Sequence, residues 1–177
     1  MSYEILSKTP DIAKYILHPV FHDTDNYRFI AFEYICLPTL DKLITDPTFV
    51  RSSFPRISQQ LLEITDALYH SQIIYRDFKA DNIFITKTND ILLIDFMFSI
   101  SNNKSLNFQE IQKAEPIRSI ILKNMGANSQ KQPYVWDDAY GLLSIFNKHG
   151  LTTVDSIAYF IAELKQRVGR LEYKIDD

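Results

Sequence analysis

Glycine is scarce in this chain. There are four, Gly126, Gly141, Gly150 and Gly169, and no two of them are close enough for a G-x-G-x-x-G or a G-x-x-x-x-G-K-[ST] loop. Both glycine-rich phosphate cradles are therefore excluded. Cysteine is scarcer still. Cys36 stands alone, so neither an intramolecular disulfide nor a cysteine-based zinc site can form, and the usage suits a reducing, cytoplasmic compartment. His18, His22, His70 and His149 are scattered without an H-x-x-x-H pair, which leaves them surface or packing roles rather than zinc ligation. Positive charge is not in excess: 19 Lys and Arg face 22 Asp and Glu, for a net charge of -3 and a pI near 5.8. That balance lacks the basic footprint of a nucleic-acid binder. Long apolar runs are missing too, the stretch Ile157 to Ala162 being far too short to span a bilayer. The segment Met1 to Lys8 has no basic stretch followed by an apolar one, so neither secretion nor a membrane span is expected.

What is present reads as one folded domain, or one domain carrying a small lobe. The 177 residues are 46% hydrophobic and 23% charged, close to the globular average. Residues 26–36 are rich in aromatic and β-branched types behind the turn-forming Asp23-Thr24-Asp25-Asn26, which predicts a strand that Pro38 ends. Ile57, Leu61, Ile64, Thr65 and Leu68 recur at helical steps, predicting a helix that stops near His70. Asn82 to Thr86 and Ile91 to Asp95, separated by Lys87-Thr88-Asn89-Asp90, predict a hairpin. Past Phe98 the composition turns polar, as expected of a loop. Residues 108–125 are weakly helical but interrupted by Pro116, and residues 127–133 are polar again. Helices are expected over Trp136 to Lys148 and Val154 to Leu171, with Gly150 supplying a left-handed cap after the first. Trp136 and the aromatic residues between Tyr27 and Tyr34 are expected in the core. Arg51, Arg56 and Lys42 are expected on a solvated face.

The chemistry concentrates in Tyr75-Arg76-Asp77-Phe78-Lys79-Ala80-Asp81-Asn82, followed by the hairpin that ends in Asp95-Phe96-Met97. This order places a carboxylate at Asp77, a cation at Lys79, an amide at Asn82 and a second carboxylate where an apolar strand ends. Phosphoryl transfer asks for hard oxygen ligands for Mg2+, a cation near the transferred phosphoryl and a carboxylate to position the attacking hydroxyl. These residues supply all three.

The two segments resemble the protein-kinase-like superfamily. Tyr75 to Asn82 is similar to the catalytic loop H-R-D-L-x-x-x-N, and Asp95-Phe96-Met97 is similar to D-F-G. The resemblance implies Asp77 as catalytic base, with Arg76 and Lys79 in the catalytic set and Lys79 contacting the transferred phosphoryl. It implies Asn82 and Asp95 as metal ligands. Tyr27 to Pro38 resembles the strand and hinge that hold adenine, which implies backbone contacts from Glu33 and Ile35 with Phe32 behind the base. Asp138-Ala139-Tyr140-Gly141 resembles the start of the long central helix, whose aspartate supports the catalytic loop. The likeness runs from about residue 5 to residue 147.

It also has departures. The glycine-rich loop, the strand lysine and its partner glutamate have no visible counterparts, Met97 stands where the motif has glycine, and no A-P-E follows, Ala114-Glu115-Pro116 having similar letters in another order. The implied fold is α+β, mainly the helical C-terminal lobe of a kinase with a reduced N-terminal β portion. Residues 1–36 would be the remnant of the small lobe and hinge, and residues 37–177 the large lobe. The implied function is transfer of the ATP γ-phosphate to a hydroxyl, with Mg2+, most in keeping with a serine/threonine protein kinase. The acceptor would be a protein or a small hydroxyl compound, and a partner chain could complete the small lobe. Two rivals stand beside this reading: a pseudokinase that scaffolds a partner, and a kinase for a small molecule or glycan.

Overall fold

The computed structural model describes residues 8–22, 30–96, 98–101, 126–152 and 154–174. Among them are six α-helices: α1 (Pro10–Ala13), α2 (Leu40–Leu43), α3 (Pro47–Ser52), α4 (Phe54–His70), α5 (Asp138–Lys148) and α6 (Asp155–Arg167). The strands are β1 (Pro19–His22), β2 (Ile30–Phe32), β3 (Ile73–Ile74), β4 (Ile83–Ile85), β5 (Ile91–Leu93), β6 (Ile100–Ser101), β7 (Gln130–Gln132), β8 (Val135–Trp136) and β9 (Tyr173–Lys174). They form small sheets in the orders β1-β2, β3-β6, β4-β5 and β7-β8-β9, all antiparallel. Mixed helices and short sheets agree with the α+β, mainly helical reading. Among the described residues no helix is long and apolar enough to cross a membrane.

Helix α4 is the central beam. Its buried face carries Ile57, Leu61, Ile64 and Leu68 at the expected spacing, and it starts earlier than the apolar pattern because Pro55 is suited to a first turn. Gln72, with φ 54, then turns the chain into β3. Phe54 of α4 meets Phe146 of α5 at 5.3 Å and Phe160 of α6 at 5.5 Å, with those two rings 4.9 Å apart. This triad joins the three longest described helices.

The β4–β5 hairpin pairs Ile83 with Leu93, Phe84 with Leu92 and Ile85 with Ile91. Its outer neighbours are chain segments rather than long strands: Leu93 N–H donates to Tyr15 O at 2.6 Å, and Ile85 N–H donates to Pro38 O at 3.0 Å. Gln60, a buried amide on the apolar face of α4, locks the hairpin to the helix. Its Nε2 donates to Asn89 O at 2.8 Å and its Oε1 accepts from Ile91 N at 2.9 Å.

Several boundaries differ from the sequence expectation, each for a local reason. The strand expected over residues 26–36 is confined to Ile30–Phe32 among the described residues. Of the aromatics expected in the core there, Phe32 is 44% and Tyr34 88% exposed, and Tyr27 and Phe29 lie outside the described residues. Alternation and aromatic content mark a strand-forming segment but not whether anything covers it. The polar region past Phe98 contributes β6, because Ile100 and Ser101 complete the hydrogen bonding of β3; residues 102–125 lie outside the described set. Trp136 is fully buried as expected but belongs to β8. Helix α5 begins only at Asp138, where Asp137 Oδ1 caps Tyr140 N at 3.0 Å. Gly150 has φ 68 as the cap reading requires. Helix α6 ends at Arg167, short of Leu171, and Gly169 with φ 86 follows. Arg51, Arg56 and Lys42 are exposed.

Truncating Phe54 to Ala should destabilise the chain by ~3–5 kcal/mol in denaturant unfolding, the usual cost of an emptied aromatic site in a core. Tyr159→Ala, at a side chain 74% exposed on α6, should stay within about 0.5 kcal/mol. Equal effects would mean that the triad does not organise the core.

Candidate active site

The loop after β3 is irregular and almost entirely buried from Tyr75 to Phe78. Its backbone donors therefore need internal partners. Tyr75 N–H donates to Asp138 Oδ2 at 2.7 Å and Arg76 N–H donates to Asp138 Oδ1 at 2.9 Å. Asp138 sits in the first turn of α5, where the helix end favours negative charge. Burial pushes its carboxyl up to about 7, against the pull of the two amides. The adjacent Asp137 does a different job, capping α5 and accepting Gly169 N–H at 2.6 Å.

Asp77 is 9% exposed. One of its carboxylate oxygens, Oδ2, accepts from Asn82 Nδ2 at 2.9 Å and from Lys79 Nζ at 3.0 Å. Asn82 Nδ2 also donates to Asp77 O at 3.1 Å and to Tyr75 Oη at 3.2 Å. The loop is thus closed on itself by one amide group. The hydroxyl of Tyr75 in turn donates to Ile94 O, and Ile94 N–H donates to Asn82 O at 3.1 Å. This backbone contact sets Asp95 beside the Asn82 turn. Asp95 holds φ 60, a left-handed conformation that aspartate tolerates better than most residues. The Phe96 ring packs 5.0 Å from Tyr75, whose other neighbour is Phe78 at 4.8 Å. Met97 lies outside the described residues.

The structure therefore gathers Asp77, Lys79 and Asn82 and brings Asp95 next to them through the hairpin. Phe32, Glu33 and Ile35 lie on the segment running from β2 to the Pro38–Ile85 contact, the first two exposed and Ile35 half-buried. Arg76 is set apart from the Asp77 cluster. It is 5% exposed, and its Nε donates to Phe98 O at 2.6 Å while its guanidinium faces the rings of Trp136 and Tyr173. The side chain is thus directed away from the Asp77 carboxylate.

All three bonds of the Asn82 side chain among the described residues run through Nδ2, which leaves its Oδ1 for a hard cation. Among the described residues no group of three His, Cys, Asp or Glu side chains could hold a metal. A cation here would rest on Asn82 Oδ1, the Asp95 carboxylate, waters and the oxygens of a bound ligand. That sparse set of oxygen donors fits Mg2+.

Sequence reasoning overlooked Gln60 and Asp137. Each had a signal: a polar residue on the apolar face of a helix, and an acidic residue immediately before one. It also overlooked Gly126, whose φ is 59 and where an added Cβ would lie 1.8 Å from the Arg76 carbonyl oxygen. Only a residue without a side chain lets that segment approach the loop so closely.

The family model for the protein kinase domain matches residues 5–115. The chain belongs to the protein kinase domain family. Similar proteins include serine/threonine-protein kinase shk1/pak1 of Schizosaccharomyces pombe, 32% identical over 81 residues, which are 44% of this chain and 12% of that protein. Probable serine/threonine-protein kinase mkcE of Dictyostelium discoideum is 31% identical over 93 residues, 52% of this chain and 13% of that one. Human serine/threonine-protein kinase 10 is 37% identical over 67 residues, 38% of this chain and 6% of that one. The match thus spans a small part of the length of these relatives. The kinase-like recognition made from Tyr75–Asn82 and Asp95–Met97 stands at the level of family and fold.

Asp138→Ala should lower the thermal midpoint, since two buried amides would lose their acceptor at a cost of about 1–3 kcal/mol. An unchanged midpoint would show that the loop does not depend on it. The pH dependence has a definite sign. A folded pKa of about 7 exceeds the unfolded carboxylate value of about 4, so the folded chain binds the proton more tightly. Its stabilising effect is complete below about pH 4 and is lost as pH rises through about 7. Unfolding followed across that range should show the decline in the parent and a flatter profile in Asp138→Asn; identical slopes would assign the titration to another group.

Proposed function

We infer that the chain is an ATP- and Mg2+-dependent phosphotransferase acting on a hydroxyl, of the serine/threonine protein kinase type. One observation carries this reading. Asp77 Oδ2 is held by both Lys79 and Asn82, whereas Oδ1 has no hydrogen bond among the described residues. One oxygen is anchored and the other is left to an acceptor.

The roles follow from that division. Asp77 Oδ1 accepts the hydroxyl proton as the acceptor oxygen bonds to the γ-phosphorus and the bond to the β-phosphate oxygen breaks, its electrons leaving with ADP. Lys79, about two-fifths exposed beside Asp77, can swing its ammonium toward the transferred phosphoryl. Asn82 Oδ1 and Asp95 would hold Mg2+, which when bound offsets the negative charge of the phosphates. The segment of Phe32, Glu33 and Ile35 would take the adenine, with residues 1–36 as the remnant of the small lobe and hinge and 37–177 as the large lobe. The exposed apolar side chains of Val20 and Tyr34 would then be available to a roof over the nucleotide, including one supplied by a partner chain. The unpaired, exposed Cys36 fits a reducing, cytoplasmic setting.

Two features favour the rivals. These 177 residues contain no glycine-rich loop, which supports a pseudokinase scaffold. They also contain no A-P-E, which supports a small-molecule or glycan acceptor.

Labelled ATP and Mg2+, with and without candidate acceptors, should yield labelled product or self-labelled protein. Asp77→Asn should reduce turnover by ~100- to 10,000-fold, the range of general-base catalysis, with nucleotide affinity nearly unchanged; equal turnover would overturn the assignment. Nucleotide and Mg2+ at ~100 times the dissociation constant should stabilise the fold by about 2.7 kcal/mol. Asp95→Asn should abolish the metal-dependent part of that stabilisation. A parent chain that shows no stabilisation at millimolar nucleotide, with or without metal, would favour the scaffold.

A further inference from the structure

The side chain of Arg76 leaves the Asp77 cluster and enters a second, smaller core. That core consists of Ile74 of β3, Ile100 of β6 and Trp136 of β8, with Leu171 and Tyr173 packed against it. The guanidinium carbon lies 5.2 Å from the centroid of the Trp136 ring and 5.6 Å from that of Tyr173. Among the described residues no carboxylate oxygen comes within ion-pair distance of this side chain. Burying a cation outside a direct ion pair is costly, and burial draws its pKa down to about 10 against the pull of Tyr173 and Asp138. The Nε bond to Phe98 O and the faces of two aromatic rings are the compensation on offer.

Tyr173 reaches Arg76 because the segment after α6 is tied down at several points. Arg167 and Arg170 bind Asp66 of α4 at 2.8 and 2.9 Å. Gly169 N–H donates to Asp137 at 2.6 Å, and Lys131 binds Glu172 at 2.9 Å. Tyr173 and Lys174 then pair with Trp136 and Val135 as β9. The tyrosine is thereby delivered against the residue that precedes Asp77.

We propose that residues 167–174 form a strap that positions the catalytic loop, with Tyr173 closing an aromatic cage around Arg76 and so holding the backbone that aims Asp77. The proposal rests on the reading of Asp77 as the base. Arg76 sits at φ 67, a conformation that a side-chain-bearing residue keeps only where its surroundings impose it. Asp138 grips the amides of this turn, and Gly126 packs on its carbonyl. The cage grips its side chain. Tyr173 is a positioning residue, acting through Arg76 without touching a substrate.

The test uses the full chain with Tyr173→Ala, Tyr173→Phe and, as a control, Tyr159→Ala. Amide hydrogen exchange at Tyr75 and Arg76 reads the loop, and acrylamide quenching of Trp136, the sole tryptophan, reads the cage. Losing one cation–π face should speed exchange at these two amides roughly twofold to thirtyfold while amides of α4 keep their protection. Trp136 should become more accessible, and turnover should fall with nucleotide affinity unchanged. Tyr173→Phe, which retains a ring face, should restore all of these, and Tyr159→Ala should alter none. If Tyr173→Ala does not fold, Tyr173→Leu makes the same comparison by keeping apolar bulk without a π face. Unchanged exchange at Tyr75 and Arg76, or equal acceleration in α4 and in the loop, would overturn the strap. A parent without turnover would instead sink the phosphotransfer reading, and the exchange data would still decide the strap.

Discussion

Two backbone amides on a turn without regular structure, Tyr75 N–H and Arg76 N–H, end on the two oxygens of one carboxylate, Asp138. The rest of the site hangs from this contact. A buried loop that carries functional side chains cannot satisfy its own donors through a helix or a ladder, so an acceptor must come from elsewhere in the fold. Asp138 is a rigid choice, because it belongs to the first turn of α5 and α5 is wedged into the core by Phe146. Rigidity in the core is thereby passed to the segment that bears Asp77.

From that fixed point the remaining groups are set by short links. Asn82 closes the loop by donating to both the carbonyl and the carboxylate of Asp77. Its own carbonyl accepts from Ile94, which places Asp95 at the end of the hairpin. Gln60 keeps that hairpin on α4 through two hydrogen bonds. Among the described residues the network leaves one oxygen of Asp77 and the Oδ1 of Asn82 uncommitted, and these are the atoms that phosphoryl transfer would use. Two neighbouring cations are divided in the same way. Lys79 stays half-exposed beside the carboxylate, and Arg76 is buried away from it among aromatic rings.

Much of this was legible before any coordinates. The helix leading to His70, the hairpin and the cap at Gly150 follow from local periodicity and turn chemistry, which depend on residues only a few positions apart. The expectation failed where burial depends on what a segment packs against. Phe32 and Tyr34 have the composition of core residues, yet the described fold does not cover them. Trp136 was expected in a helix and lies in a strand, because Asp137 and Asp138 start α5 after it and β9 arrives to pair with it.

By itself the sequence determined that no glycine-rich phosphate loop exists in these residues, and that carboxylate, ammonium, amide and second carboxylate follow one another in an order suited to phosphoryl transfer. Those conclusions need only composition and spacing. Tertiary structure alone decided which oxygen of Asp77 is held, that Gln60 joins helix to hairpin, and that Arg76 faces Trp136 and Tyr173 while Lys79 faces Asp77. Each of those facts joins residues distant in sequence or depends on which way a side chain leaves a turn. Such choices are made by burial and by the need to pair every buried polar group, and they exist only once the whole core has closed.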